Sequence, residues 1–246
     1  MKELSLAHIP TEAHSPLSWL EFASGEQLKT ELEARLNMWW PRIFGYHLLK
    51  LGSLSAEINS LQCQINYHFS LFETEGGAIQ ASTQNLPLQN NTIDTVLMTS
   101  LLEFEQDPYR VLREVDRVLV SGGHIILSGF NPISPIFLGK LLPDFQNIAP
   151  WNGHFFMPSR VKDWLGLLGY QILSDERLVY HHLLTEYPSK IAWHKQLEKW
   201  LPSTGGLYII VAKKVDTPLT PIRDKQKVKP TNWSTATSAG RAGLKP

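Results

Sequence analysis

The chain has 246 residues, with 23 lysines and arginines balanced by 23 aspartates and glutamates and 43% hydrophobic residues, enough for one sizeable buried core of ordinary globular composition. Its single cysteine, Cys63, excludes an internal disulfide and any multi-thiolate metal site, and suits a reducing, cytoplasmic compartment. No basic stretch leads into an apolar run at the start, and no apolar segment approaches the roughly 20 residues that span a bilayer; neither export by a signal nor a membrane span is expected.

Residues 1–45 read as an N-terminal segment followed by a leading helix. Ser24-Gly25-Glu26-Gln27 has the form of a capping box. Leu28, Leu32, Leu36 and Trp39 then repeat on one helical face until Pro41 and Gly45. Tyr46 to Leu51 is a mostly apolar run that meets a sharp turn at Gly52, as a buried strand does, and Ser55-Ala56-Glu57-Ile58 suggests a helix start.

Gln64 to Phe72 alternates in part, Glu73-Thr74-Glu75-Gly76-Gly77 breaks it, and Ala78 to Ala81 resumes. The link is short for a helical crossover, so a hairpin is expected there. Thr95 to Met98 reads as a central strand. Asp107-Pro108 supplies an N-cap and a proline at the first helical position, where the missing N–H costs nothing. Val111, Leu112, Val115, Val118 and Leu119 make one apolar face, and Gly122-Gly123 is expected to stop the helix before a strand at Ile125 to Leu127.

Val161, Trp164, Leu165 and Leu168 form a further helix face, followed by strands from Tyr170 and from Gly206 to Ala212. Strands alternating with helices argue for a mainly parallel sheet covered on both faces, with the last two strands free to pair antiparallel. A domain over 46–214 and a tail over 215–246 follow. Residues 213–246 carry eight basic groups against two aspartates, net +6, leaving −6 on the remainder. From Val215 onward the chain buries too little to offset its ordering entropy and is expected to be disordered, either as a solubilising terminus or as a contact for nucleic acid or an anionic surface.

Between residues 86 and 130 several anchors stand in register: Leu86-Pro87-Leu88, Asp94-Thr95-Val96, Leu102-Glu103-Phe104, Asp107-Pro108, Leu112-Arg113-Glu114, Arg117-Val118-Leu119 and Gly122-Gly123. This stretch resembles the type 11 group of class I S-adenosylmethionine-dependent methyltransferases, and the resemblance extends more weakly from Tyr46 to Ala212. It implies an α/β Rossmann-like fold with a mainly parallel sheet, helices on both faces and an antiparallel last strand. It also implies S-adenosylmethionine as cofactor, bound at the carboxyl ends of the strands near the switch point.

The family's D-L-G-x-G-x-G turn falls on Lys50-Leu51-Gly52-Ser53-Leu54-Ser55-Ala56, which keeps the first glycine and replaces the acid by lysine. Gly52, Ser53 and Leu54 are the expected cofactor turn, with Leu54 and Ala56 crowding the approach and Lys50 repelling a cationic amine if it faces one. Glu73 and Glu75 stand near the place of the ribose acid, or are solvated turn residues. Ser82 occupies the position of the adenine acid; Ser82 or Gln84 supplies a hydrogen bond there, or the stretch is an ordinary polar turn. The backbone of Leu86, and Thr99 and Ser100 at the end of the fourth strand, complete the cofactor set.

The catalytic residues are left open. Methyl transfer is an in-line displacement that asks for alignment and exclusion of water, and His154, His181 or His182 could serve as a base. Asn131-Pro132 reads as a turn, Glu103 as structural, Arg117 as part of a solvated or bracing face, and no metal site is expected. The acceptor is unidentified, a small molecule being favoured, beneath residues 131–157 and 180–203. The alternative is a non-catalytic binding protein with an eroded cofactor site; a nicotinamide dehydrogenase is disfavoured because no G-x-G-x-x-G follows a strand.

Overall fold

The computed structural model describes residues 15–22, 24–74, 76–142, 145, 148–180 and 202–215, with only the backbone of 138 and 202. The tail beyond Val215, Glu75, His181 and His182 lie outside the described residues. Among those described, the strands are β1 (His47–Leu51), β2 (Tyr67–Phe72), β3 (Ile79–Gln80), β4 (Ile93–Thr99), β5 (Leu119–Phe130), β6 (Tyr170–Leu178) and β7 (Leu207–Lys214). They form one sheet in the order β3-β2-β1-β4-β5-β7-β6.

β1 pairs in parallel with β2 and β4, and β4 with β5. β7 lies antiparallel to both β5 and β6. This is the α/β, mainly parallel Rossmann-like sheet with an antiparallel last strand. The order reverses between β1 and β4, and the crevice that such a reversal opens lies at the carboxyl ends of those strands.

Alternate residues of the central strands feed two cores. Leu48, Leu97, Ile126 and Ile209 pack with Leu28, Leu32 and Leu36 of α1 (Gly25–Leu36), together with Trp19 and Trp40. Leu49, Val96, Ile125 and Ile210 face the other way, onto α3 (Pro108–Val118) and α4 (Pro158–Leu167). The period-2 alternation of strand side chains thus covers the sheet on both faces. A four-residue helix, α2 (Ser53–Ala56), follows β1 directly.

Three local expectations are corrected. Ser24 precedes α1 but sits in the left-handed region, at φ 63°, and its hydroxyl makes no capping bond. A Cβ on Gly25 would lie 1.6 Å from the Trp19 carbonyl oxygen, so close backbone contact, rather than a capping box, sets this helix start. The capping box belongs instead to the 3-10 turn Trp19–Glu21, where Ser18 Oγ accepts from Leu20 N–H (3.2 Å) and Glu21 Oε1 from Ser18 N–H (3.3 Å).

β2 and β3 are parallel, not a hairpin, with Leu71 opposite Ile79 and Phe72 opposite Gln80. β3 has only two residues, so the chain returns a short distance through Gly76, at φ +110°, and no crossover helix is needed. Gly122-Gly123 lies within β5 rather than ending α3. From Ile93 to Thr95 of β4, β5 advances from Leu119 to His124, and Gly122 at φ +77° takes up the excess as a bulge. Lys213 and Lys214 close β7, and Lys214 Nζ donates to the Asp116 carbonyl (2.6 Å).

The motif around residue 86 has a physical basis in this fold. Arg117 donates to the carbonyls of Leu86 and Leu88 (both 2.8 Å) and to Asn90 Oδ1 (2.7 Å), while Glu114 pairs with Arg117 and accepts from Leu86 N–H (3.0 Å). The L-P-L loop is therefore tied to α3 by one arginine and one glutamate, and the hydrogen bond from Arg117 holds the Glu114 carboxyl below its usual range.

Candidate functional site

Gly52 ends β1 with φ +90°, a conformation that side chains rarely adopt, and its N–H donates to Leu71 O of β2 (2.9 Å). A Cβ there would stand 3.1 Å from Leu101 Cδ1. Leu101, 6% exposed, is thus the residue that covers the turn. Leu54, expected to crowd it, is buried in the core with α1.

The rest of this turn is held by neighbours. Ser53 Oγ donates to Pro16 O (2.8 Å), and the Trp19 indole N–H donates to Leu54 O (3.0 Å), so the segment before α1 straps the turn. Ser55 Oγ donates to Leu51 O (2.6 Å), accepts from Thr99 N–H (2.8 Å) and lies 3.1 Å from Thr99 Oγ1. This serine joins the ends of β1 and β4 beneath the crevice.

Lys50 does not turn its charge on the crevice. Its Nζ donates to Ile58 O (2.6 Å) on the α1 side of the sheet, where burial holds its pKa below the ordinary lysine value. The lysine in place of the family's acid therefore closes the segment after α2.

At the neighbouring strand ends, Glu73 is exposed after β2, and Ser82 is exposed after β3. Ser82 Oγ accepts from Gln84 N–H (3.3 Å). Across from them stands Glu105, which the sequence reading missed. Thr83 Oγ1 donates to its Oε1 (2.5 Å) and Gln84 Nε2 to its Oε2 (3.3 Å). Burial raises the Glu105 pKa against these two hydrogen bonds, and the Glu73 carboxylate acts in the same direction as burial.

Thr99 spends its hydroxyl on Ser55. Ser100, at φ 46°, has a buried hydroxyl with no partner among the described residues. Leu86 is buried, with its N–H committed to Glu114 and its carbonyl to Arg117, so its N–H is not available to a ligand as expected. Gly52, Thr99 and Ser100 come together at the switch point. Glu73, Ser82, Gln84 and Glu105 gather at the adjoining ends of β2 and β3.

Behind the crevice, Glu103 is fully buried and its pKa is pushed up to about 7 by that burial, against the hydrogen bond from Phe130 N–H to Oε1 (2.8 Å). Its backbone carbonyl accepts from His154 N–H (2.7 Å), which anchors an exposed histidine in the segment after β5. Phe155 stacks on Phe130 (5.5 Å between centroids), and Lys140 Nζ lies 5.2 Å from the Phe155 ring while donating to Gly153 O (2.6 Å). Asn131 donates to Ser203 O and Gly205 O (2.8 and 2.9 Å), a buried clasp between the end of β5 and the approach to β7.

Among the described residues no cluster of three or more His, Cys, Asp or Glu could hold a metal ion, and no helix is long and apolar enough to cross a membrane. A positive-φ glycine, an exposed carboxylate one strand away and an orphaned buried hydroxyl at the β4 end suit a ligand with a ribose and a polar chain. The close contact of Leu101 with Gly52 works against it.

Residues 59–127 match the protein family described as methyltransferase domain. The chain is 36% identical over 242 residues to the uncharacterized protein YafS of Escherichia coli K12, covering 98% of each. An S-adenosylmethionine-dependent methyltransferase from Archaeoglobus fulgidus superposes with a TM-score of 0.55 at 18% identity, over 76% of this chain and 94% of that one. A chain from the Haloferax volcanii complex of the Trm112 activator with a methyltransferase gives 0.56 at 13% identity, over 79% and 93%. At these identities the structural neighbours speak for the fold alone.

Proposed function

The chain belongs to the class I S-adenosylmethionine-dependent methyltransferases, and on that premise we propose that it binds S-adenosylmethionine at the carboxyl ends of β1 to β4 and methylates a small-molecule acceptor. The observation that carries this reading is the Gly52 turn: a positive-φ glycine at the switch point, followed at once by α2 and clasped to β4 through Ser55. The single cysteine suits a cytoplasmic setting.

The Gly52 turn takes the methionine end of the cofactor, Glu73 the ribose hydroxyls as a paired acceptor, and Ser82 and Gln84 the edge of the base. Ser53 and Leu54 shape the turn through their bonds to Pro16 and Trp19, while Thr99 and Ser100 flank the place of the reacting methyl group. When bound, the cofactor would supply an electrophilic methyl group on a sulfonium, held by the Gly52 turn and Glu73 for transfer to the acceptor.

The protein's own contribution is alignment and exclusion of water. Behind the crevice, the stacked rings of Phe130 and Phe155 keep the end of β5 apolar. His154, exposed and pinned through its backbone to Glu103, takes the acceptor's proton where the acceptor needs a base. Because Leu101 rests on Gly52, affinity for the cofactor is lower than in a glycine-rich relative.

The contact of Leu101 with Gly52 also favours a second reading, a methyltransferase-fold binding protein without turnover. Release of S-adenosylhomocysteine across a panel of hydroxyl, amine and thiol acceptors separates the two: product above the acceptor-free rate supports the enzyme, and saturable binding without product with any acceptor supports the binding protein.

A further inference from the structure

Glu105 is neither in the glycine turn nor at the end of β2 or β3, yet it reaches the strand ends where the proposed cofactor lies. Its carboxylate is half-buried and accepts two hydrogen bonds of unequal quality. The bond from Thr83 Oγ1 is short, at 2.5 Å, and Thr83 is itself buried. The bond from Gln84 Nε2 is long, at 3.3 Å, from a side chain with partial access to solvent. Charge-assisted hydrogen bonds to carboxylates ordinarily run to about 2.7–2.9 Å, so Oε2 is the loosely satisfied oxygen.

The Gln84 donor is an NH2 group on a planar carbon, pointed at a carboxylate. The exocyclic amine of adenine is the same donor on the same kind of carbon. A carboxylate offers acceptors only, so it accepts an amine at that position and rejects a carbonyl.

From this geometry we propose that Glu105 is the specificity-determining residue for the cofactor's base, accepting the adenine amine at Oε2 in the seat now taken by the Gln84 amide. The assignment rests on the cofactor reading above. Ser82, which stands where the family has its acid, then contributes to loop shape through its bond from Gln84 N–H, and discrimination comes from the segment after β4. Thr83 fixes the carboxylate through Oε1 and leaves Oε2 for exchange.

The test is equilibrium binding of S-adenosylhomocysteine and S-inosylhomocysteine, which carries a carbonyl in place of the amine, to the intact chain by calorimetry. The wild type is expected to prefer the adenosyl ligand at least tenfold. Glu105→Gln, whose carboxamide can present either its oxygen or its NH2, brings the ratio to within about threefold of unity, its folding checked by thermal melting. Gln84→Ala changes the affinity for both ligands, Gln84 lying at the edge of the base, while the adenosyl ligand stays preferred.

Equal weakening of both ligands by Glu105→Gln, with the ratio preserved, means that Glu105 only braces the loop and overturns the assignment while leaving the cofactor reading intact. Loss of the preference in Gln84→Ala but not in Glu105→Gln assigns it to Gln84 and overturns it as well. Failure of the folded wild type to bind either ligand overturns the cofactor reading, and this assignment with it.

Discussion

The hydroxyl of Ser55 accepts the backbone N–H of Thr99 at 2.8 Å while donating to the carbonyl of Leu51 at 2.6 Å. Both groups are buried. One side chain therefore satisfies the last amide of β4 and fixes its distance from the end of β1, the two strands between which the sheet order reverses. A buried amide left without a partner costs the desolvation of that group, about 1–3 kcal/mol.

Ser55→Ala is accordingly expected to lower unfolding free energy by about 1–3 kcal/mol, measured by urea titration. It should also weaken S-adenosylhomocysteine binding, because the crevice loses its fixed width. Unchanged stability together with unchanged affinity would show that the clasp is not needed.

Leu101→Ala separates affinity from stability. Removing most of a buried leucine side chain costs about 2–5 kcal/mol of stability, but it clears the atom that stands 3.1 Å from the position of a Gly52 Cβ. Cofactor binding is expected to tighten several-fold in a variant that still melts cooperatively. Weaker binding would mean that Leu101 forms part of the ligand's wall instead of obstructing it.

Glu103 predicts a pH signature. Its folded pKa, about 7, lies above its unfolded value near 4.5, so between these pH values the native state holds the proton that the unfolded chain has lost. The contribution of this group therefore falls as pH rises from about 4.5 through 7. Glu103→Gln keeps an oxygen to accept the Phe130 N–H and removes the titration. The stability difference, variant minus wild type, should grow by roughly 2–3 kcal/mol between pH 5 and pH 8; a difference flat in pH would mean that Glu103 titrates normally in the fold.

The block from Leu86 to Leu119 was legible in the sequence because its signals are local or closely spaced. Asp107-Pro108 starts a helix by chemistry contained in those two residues, and Asp107 Oδ1 accepts from Arg110 N–H at 2.9 Å as such a cap does. Arg117 and Leu86 meet in space because α3 carries the arginine back over the loop. The start of α1 misled for the opposite reason: Ser18 and Ser24 each stand three residues before a glutamate or glutamine, and what distinguishes them is the Trp19 carbonyl lodged against Gly25, a packing fact.

The site was legible in position more than in detail. Gly52 announces the turn through its type, and the ends of β2, β3 and β4 follow from the order of elements. Lys50, Leu101 and Glu105 could not be placed that way. Whether Lys50 faces the crevice depends on a carbonyl eight residues away, Leu101 acts through contact with a glycine about fifty residues earlier, and Glu105 finds Thr83 and Gln84 only once β3 and β4 are in place. The short link between β2 and β3 suggested antiparallel pairing because parallel strands usually need a longer crossover; a two-residue β3 removes that need.

The central claim is that this crevice holds S-adenosylmethionine, and equilibrium binding of S-adenosylhomocysteine to the intact wild type and to Gly52→Val tests it most directly. Valine at φ +90° is strained, and its Cβ meets Leu101, so the variant is compared only after its circular dichroism and melting confirm a folded chain. The account predicts saturable single-site binding by the wild type that Gly52→Val reduces at least thirtyfold. No binding by the folded wild type at millimolar ligand, while a control methyltransferase binds normally, would contradict it.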